Sequence, residues 1–276
     1  MKSIILLIKG FFIGVANIIP GVSGGTLAIT LGIYEKLIST ISHIFKNFKE
    51  NIKFLLPIGI GAVLSLLCLS KVIKFTLTNY TLITILFFVG AILGGLPMLY
   101  KKVKSNIKVS NILIFVLMFA LVLGLTFLGS GKDVSLTSLQ LFDYLKLFLI
   151  GIVASATMVI PGISGSAMLM TLGYYYPIIN TISDLTNFSN LTNNLLILMP
   201  FGIGIVVGIL LIAKVIEFLL KKCETKTYFA IIGFVLASVI VIFIESNIVS
   251  FTILDIIFGI ILFLIGFIIA YKLGDK

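Results

Sequence analysis

Ten apolar runs of about 17 to 25 residues follow one another along this chain with short polar gaps between them, the length that a bilayer core demands. They lie at 3–19, 24–40, 54–75, 81–100, 111–129, 142–160, 165–182, 195–220, 227–244 and 251–271. Of the 276 residues 60% are hydrophobic and only 11% charged, too little polar material to clothe a soluble domain of this size. The fold class that follows is all-α and polytopic, in a membrane. The start, Met1-Lys2-Ser3 and then an apolar run, lacks a small-x-small cleavage site and is expected to be structure rather than a signal peptide.

The chain repeats itself. Pro20–Ile38 matches Pro161–Ile179 at 9 of 19 positions, and Pro57–Phe75 matches Pro200–Phe218 at 10 of 19. The offsets, 141 and 143 residues, agree to within one short loop. Two halves of five segments follow, 1–135 and 136–276, in one membrane domain. Five is odd, so if the first half enters from the cytoplasm the second must enter from outside, which is an inverted repeat.

Lysine placement tests the orientation. With the N-terminus inside, the inner gaps hold Lys46, Lys49 and Lys53, then Lys101, Lys102, Lys104 and Lys108, then Lys221, Lys222 and Lys226, and the tail holds Lys272 and Lys276. The outer gaps hold only Lys74 and Lys132. Positive charge gathers on the cytoplasmic side of membrane proteins, so both termini are expected there. The net charge of +10 therefore reflects membrane loops and anionic lipid, not nucleic acid. Asn187 and Asn190 begin glycosylation-like triplets that carry no weight in an Asn-rich loop.

The first hairpin of each half, 3–40 and 142–182, is the unusual part. About ten residues separate Lys9 from Pro20, and about nine separate Thr26 from Glu35, so each arm spans roughly half a bilayer at 1.5 Å per residue. Both are read as re-entrant helical hairpins that turn near the midplane, leaving three transmembrane helices per half. Ten full crossings with turns at the surface is the other reading, and loop sidedness does not separate the two.

In the turn Pro20-Gly21-Val22-Ser23-Gly24-Gly25-Thr26, Pro20 and Gly21 stop one helix and Ser23 caps the next. Pro161-Gly162-Ile163-Ser164-Gly165-Ser166 repeats the design. Inversion then places two helix N-termini near the midplane from opposite sides, with free N–H donors and positive dipole ends that suit an anion, phosphate above all. The expected phosphate-binding residues are Ser23, Gly24, Gly25, Thr26, Ser164, Gly165 and Ser166. Small residues that merely let helices pack closely are the plainer alternative.

Other residues stay open between two readings. Lys71 and Lys214 are repeat-related and either snorkel or dock lipid phosphate. Glu35, whose repeat partner is Tyr176, either carries a coupling proton or pairs with Lys36. Asn17 lines the site or makes an ordinary interhelical bond. His43 is expected at the surface. Asp143, Asp184, Glu217, Glu245 and Asp255 fall near segment ends, where charge is cheap. Gly90, Gly94, Gly95 and Gly233 read as helix-packing positions. Cys68 and Cys223 are expected unpaired, and no metal site, cofactor motif or catalytic constellation is visible.

The run from the Gly10 region to Ile38, with I-I-P-G-V-S-G-G-T-L-A-I-T-L-G-I-Y-E-K-L-I at its centre, resembles the PopT-type polyprenyl-phosphate translocases of bacteria, once catalogued as a domain of unknown function. The resemblance covers essentially the whole chain. It implies a plasma-membrane protein that returns undecaprenyl phosphate, the lipid carrier of cell-wall sugars, from the outer to the inner leaflet, and it carries over Pro20 through Thr26, Glu35, and Pro161 through Ser166. Undecaprenyl-pyrophosphate phosphatases share a similar turn, P-G-x-S-R-S. This chain has Gly24 and Gly165 where that arginine would stand, and no arginine anywhere, so the bidentate phosphate clamp is missing. An ion-coupled small-anion transporter is a further alternative. Coupling ion and oligomeric state are not legible.

Overall fold

In this computed structural model, residues 2–17, 19, 22–129, 131–136, 139–186, 191–246, 248 and 251–274 are described. Pro20, Gly21, Asn187, Asn190 and Lys276 lie outside them. The described residues form twelve α-helices and no strand. The first six are α1 (Lys2–Ala16), α2 (Gly24–Thr30), α3 (Tyr34–Ser42), α4 (Phe48–Asn79), α5 (Thr81–Val103) and α6 (Val109–Phe127). The second six are α7 (Leu141–Val159), α8 (Gly165–Thr171), α9 (Tyr175–Thr186), α10 (Leu191–Lys222), α11 (Glu224–Glu245) and α12 (Ile253–Gly274). Seven of them, α4, α5, α6, α7, α10, α11 and α12, are long and apolar enough to cross a membrane.

The hairpins differ from the expected arms. The entry arms α1 and α7 have 15 and 19 residues, about 22 and 28 Å, so both exceed half a bilayer core and α7 is long enough to cross it. Each return arm, by contrast, is broken. Where one segment was expected at 24–40 and another at 165–182, a seven-residue helix ends and a second begins after Gly32 or Gly173. Both glycines have φ near +70°, a left-handed conformation costly for other residues. Apolar periodicity does not register a break made by a single backbone angle.

Duplication extends to packing. In each half the entry arm lies along the longest helix, α1 on α4 and α7 on α10. Two further seams cross between halves, α5 with α12 and α6 with α11, and exchanging the halves maps one onto the other. Glycines make these seams close. A side chain at Gly61 would overlap the Leu7 carbonyl, and one at its repeat partner Gly204 would overlap the Phe148 carbonyl. In the same seams Gly14 meets the Ser65 hydroxyl, and the repeat reverses the pair as Ser155 meeting Gly208. Gly90 and Gly94 face the Phe263 and Phe267 carbonyls of α12, Gly95 faces Thr30, and Gly233 faces the Phe115 carbonyl of α6.

The outward faces are apolar. Leu56, Ile60, Val63 and Leu67 of α4 follow helical spacing and are exposed, as are Leu196, Met199, Ile203 and Val206 of α10. Such rows are stable against hydrocarbon rather than water.

The seams predict paired mutational outcomes. Gly61→Val and Gly204→Val should destabilise the protein by about 1–3 kcal/mol or more through overpacking. Gly59→Val and Gly202→Val, two residues away with open space around them, should leave it near wild type. Thermal melting of the detergent-solubilised protein checks both pairs.

Candidate functional site

The two turns meet. The hydroxyl of Thr26, on the first turn of α2, accepts the backbone N–H of Gly162 at 2.8 Å. Thr26 is fully buried, so the bond sits away from water. Gly162 has φ +79° and its missing side chain makes room for the Phe234 carbonyl, so only glycine serves there. Beside this bond the Tyr34 hydroxyl donates to the Val159 carbonyl at 3.1 Å, capping the end of α7 where carbonyls lack helical partners. Gly25 completes the fit, since a Cβ there would come 3.0 Å from the same carbonyl. The first half thus closes over the end of the second half's entry arm.

The reciprocal contact is missing, and the sequence explains it. The repeat partner of Thr26 is Ala167, which has no hydroxyl to offer. In place of that contact, a cavity of about 520 Å³ borders α8, lined by Ser164, Ser166 and Gly162 of the second turn and by Asn17 of the first. Thr126 of α6, Thr171 of α8, Tyr175 of α9 and Glu245 of α11 supply its other polar side chains among the described residues. The Ser164 and Ser166 hydroxyls are 2.8 Å apart, and Ser164 also accepts the Ala167 N–H at 3.4 Å as the N-cap of α8.

Ser23, at the matching position before α2, is only 4% exposed and its hydroxyl has no hydrogen-bond partner. Its backbone is extended as a cap requires, but the side chain does not cap. Gly24 lies against Asn17, whose amide would be 2.9 Å from a Cβ there. Gly165 is buried beside Met158. Of the expected phosphate-binding residues, therefore, Ser164 and Ser166 line the cavity, while Ser23, Gly24, Gly25, Thr26 and Gly165 do not.

Glu35 is elsewhere. A smaller cavity of about 270 Å³ is lined by Tyr34, Glu35, Met98, Lys102 and Tyr228, three of which match lining residues of the large cavity through the repeat: Tyr34 with Tyr175, Met98 with Val241, Lys102 with Glu245. There Glu35 pairs with Lys102 at 3.3 Å rather than with Lys36, and the Tyr228 hydroxyl donates to it. Lys102 also reaches Glu224 at 3.6 Å, while the Lys36 ammonium stacks over the Phe54 ring. With Glu35 53% exposed, such pairs contribute about 0–1 kcal/mol each and break easily.

Lys71 and Lys214 are exposed on α4 and α10, away from both cavities. Lys214 borders a surface concavity with His43, Lys46 and Lys221. Glu217 in that concavity is not a cheap end charge: it is 7% exposed and held by Lys221 at 2.7 Å, His43 at 3.2 Å and Ser39 at 3.2 Å. Two buried or cavity-facing positions carry more than the sequence indicates. Lys9 is 3% exposed and donates to the Leu31 carbonyl at 2.7 Å, satisfying the C-terminal end of α2. Glu245, read as a helix-end charge, faces the large cavity; its alignment with Lys102 across the repeat was the available signal.

Residues 13–256 match the VCA0040-like family, described as undecaprenyl phosphate translocase-like. A polyprenyl-phosphate transporter of Staphylococcus aureus (strain NCTC 8325 / PS 47) is 34% identical over 277 residues, which covers 97% of this chain and 95% of the relative. A polyprenyl-phosphate transporter of Vibrio cholerae serotype O1 (strain ATCC 39315 / El Tor Inaba N16961) is 29% identical over 245 residues, covering 84% of this chain and 74% of the relative. No solved structure matches the chain significantly.

The bond between the turns is open to a direct test. Thr26→Val keeps the shape but strands a buried N–H, which costs about 1–3 kcal/mol. Thr26→Ser retains the acceptor and should stay near wild type. Thermal melting in detergent distinguishes them, and equal melting of all three proteins would mean that the bond contributes nothing.

Proposed function

The chain belongs to the undecaprenyl phosphate translocase-like family, and from that premise we propose that it moves undecaprenyl phosphate from the outer to the inner leaflet of the bacterial plasma membrane, returning the lipid carrier to cell-wall polymer synthesis. The observation that carries this reading is the pair of repeat-equivalent cavities of unequal size. The larger sits among the C-terminal ends of α6 and α11, which adjoin the lysine-poor gaps assigned to the outside. The smaller sits among the C-terminal end of α5 and the N-terminal end of α11, which adjoin the lysine-rich gaps assigned to the inside. A conformation open outward and closed inward is the one that would receive a lipid from the outer leaflet.

A phosphate monoester carries about −1.5 to −2 charges at neutral pH and offers strong acceptor oxygens. Ser164 and Ser166 supply hydroxyl donors, and the first N–H groups of α8 lack helical partners. Asn17 adds an amide from the other half. The halves are related by inversion in this reading, so exchanging their packing would close the large cavity and open the small one, delivering the phosphate to the opposite leaflet. The Glu35–Lys102–Glu224 cluster is weak enough to open at each cycle. Moving a phosphate between leaflets breaks no bond, and the reading assigns no hydrolysis.

Depleting the protein in cells that lack redundant translocases should strand undecaprenyl phosphate on the outer face, detected with a phosphate-binding probe. Normal surface levels would sink the proposal, and phosphate release from undecaprenyl pyrophosphate by the purified protein would favour an enzyme. Replacing Ser164 and Ser166 together by Ala should slow translocation about 10- to 100-fold, the loss expected for a hydrogen bond to a charged group. Gly24→Leu and Gly165→Leu should likewise block transport without abolishing expression.

A further inference from the structure

The large cavity presents a charge problem. Among the described residues that line it, Glu245 is the only charged side chain, with no lysine or histidine. Yet the cavity is the one proposed to receive an anion. Glu245 also lines a neighbouring cavity of about 180 Å³, so it stands between two internal spaces. No hydrogen bond or ion pair to its carboxylate occurs among the described residues. Its repeat partner, Lys102, sits in a cluster with Glu35 and Glu224. The duplication thus placed a charged side chain at the same position of both halves, neutralised by ion pairing in one and unneutralised in the other.

We propose that Glu245 binds the proton that accompanies the lipid phosphate, so that the cavity takes up an anion and a proton together. This rests on the lipid-phosphate reading of the cavity. An ionised carboxylate and a phosphate in one space of low dielectric repel each other, and a proton on the carboxylate removes the repulsion and supplies a donor to a phosphate oxygen. Among the described residues the groups facing Glu245 include no second carboxylate and no imidazole. The second turn and α8 offer Ser164, Ser166 and Thr171; α6 offers Thr126, and the α1 end offers Asn17. Leu77 of α4, and Thr81 and Ile85 of α5, complete the smaller space. Among the described lining residues Tyr175 of α9 is the one other ionisable side chain, a phenol rather than a carboxylic acid. Lys132 and Asp133, on the loop over Gly173, do not line the cavity. A metal ion is a poorer occupant, since it would need several oxygen ligands and only one carboxylate is present.

The sign of the pH effect follows. Binding that requires a protonated Glu245 weakens as pH rises above the pKa of that group, by up to about tenfold per pH unit for one linked proton. Glutamine mimics the protonated acid in shape and charge, so Glu245→Gln should bind with little pH dependence beyond that of the phosphate's own ionisation, which is common to both proteins.

The experiment titrates the full-length protein in nanodiscs with farnesyl phosphate, by calorimetry in two buffers of different ionisation enthalpy. The wild type should show buffer-dependent heats corresponding to proton uptake. Glu245→Gln should still bind and lose that uptake, while Asp143→Asn, an exposed acid held by Lys146, keeps it. Proton uptake undiminished in Glu245→Gln, or binding by the wild type without uptake, overturns the inference alone. A requirement for sodium in place of the proton also overturns it. Failure of the wild type to bind farnesyl phosphate at all overturns the lipid-phosphate reading instead, so the two failures are distinct. If Glu245→Gln does not fold, absence of wild-type proton uptake across the pH range still overturns the inference.

Discussion

A bilayer gives a broken helix nothing to hydrogen-bond with, so every interruption in this fold must be satisfied from within the protein. The Thr26–Gly162 bond is where that constraint bears hardest. Each hairpin stops a helix, turns and starts another, and each turn exposes backbone groups that water would otherwise serve. The first half answers for the second by supplying a hydroxyl to Gly162 and a phenol to the Val159 carbonyl. Lys9 answers within the first half, donating to the Leu31 carbonyl at the next break. These contacts let irregular backbone persist and fix which parts of it stay closed and which face a cavity.

How much of this can be read from the sequence depends on whether the information is periodic. The apolar runs, the duplication and the packing glycines are all repeated signals, and helix seams at Gly90, Gly94 and Gly233 follow from them. The Ser-Gly turns are also legible because they occur twice. Single events are not. Gly32 and Gly173 break the return arms through one backbone angle each, inside runs whose hydrophobicity never falters. Thr26 looks like a donor at a helix start, and only the fold turns it into an acceptor for a residue 136 positions away. Glu217 and Glu245 sit near the ends of apolar runs, where composition makes a charge unremarkable, yet one is buried among partners and the other faces a cavity.

The most informative residues are those at which the halves disagree. A duplicated chain gives two equivalent positions for each device, so a residue present in only one half marks where the halves differ. Thr26 against Ala167 ties down one turn and leaves the other beside open space. Lys9 against Ile150 supports one return arm by charge and the other without it. Lys102 against Glu245 puts an ion-paired lysine in one cavity and an acid in the other. Shared residues build the scaffold, and unshared ones tell its faces apart.

Such differences bear on which packing a ligand favours, because equal affinities for two packings would shift no population between them. A carboxylate present in one cavity and replaced by an ion-paired lysine in the other makes the two states unequal toward an anion, and makes that inequality depend on protonation. The same pair of positions would therefore hold one cavity closed and set the condition on which the other fills. In the proposed cycle, symmetry in the backbone would supply the two states, and the broken symmetry of a few side chains the bias between them.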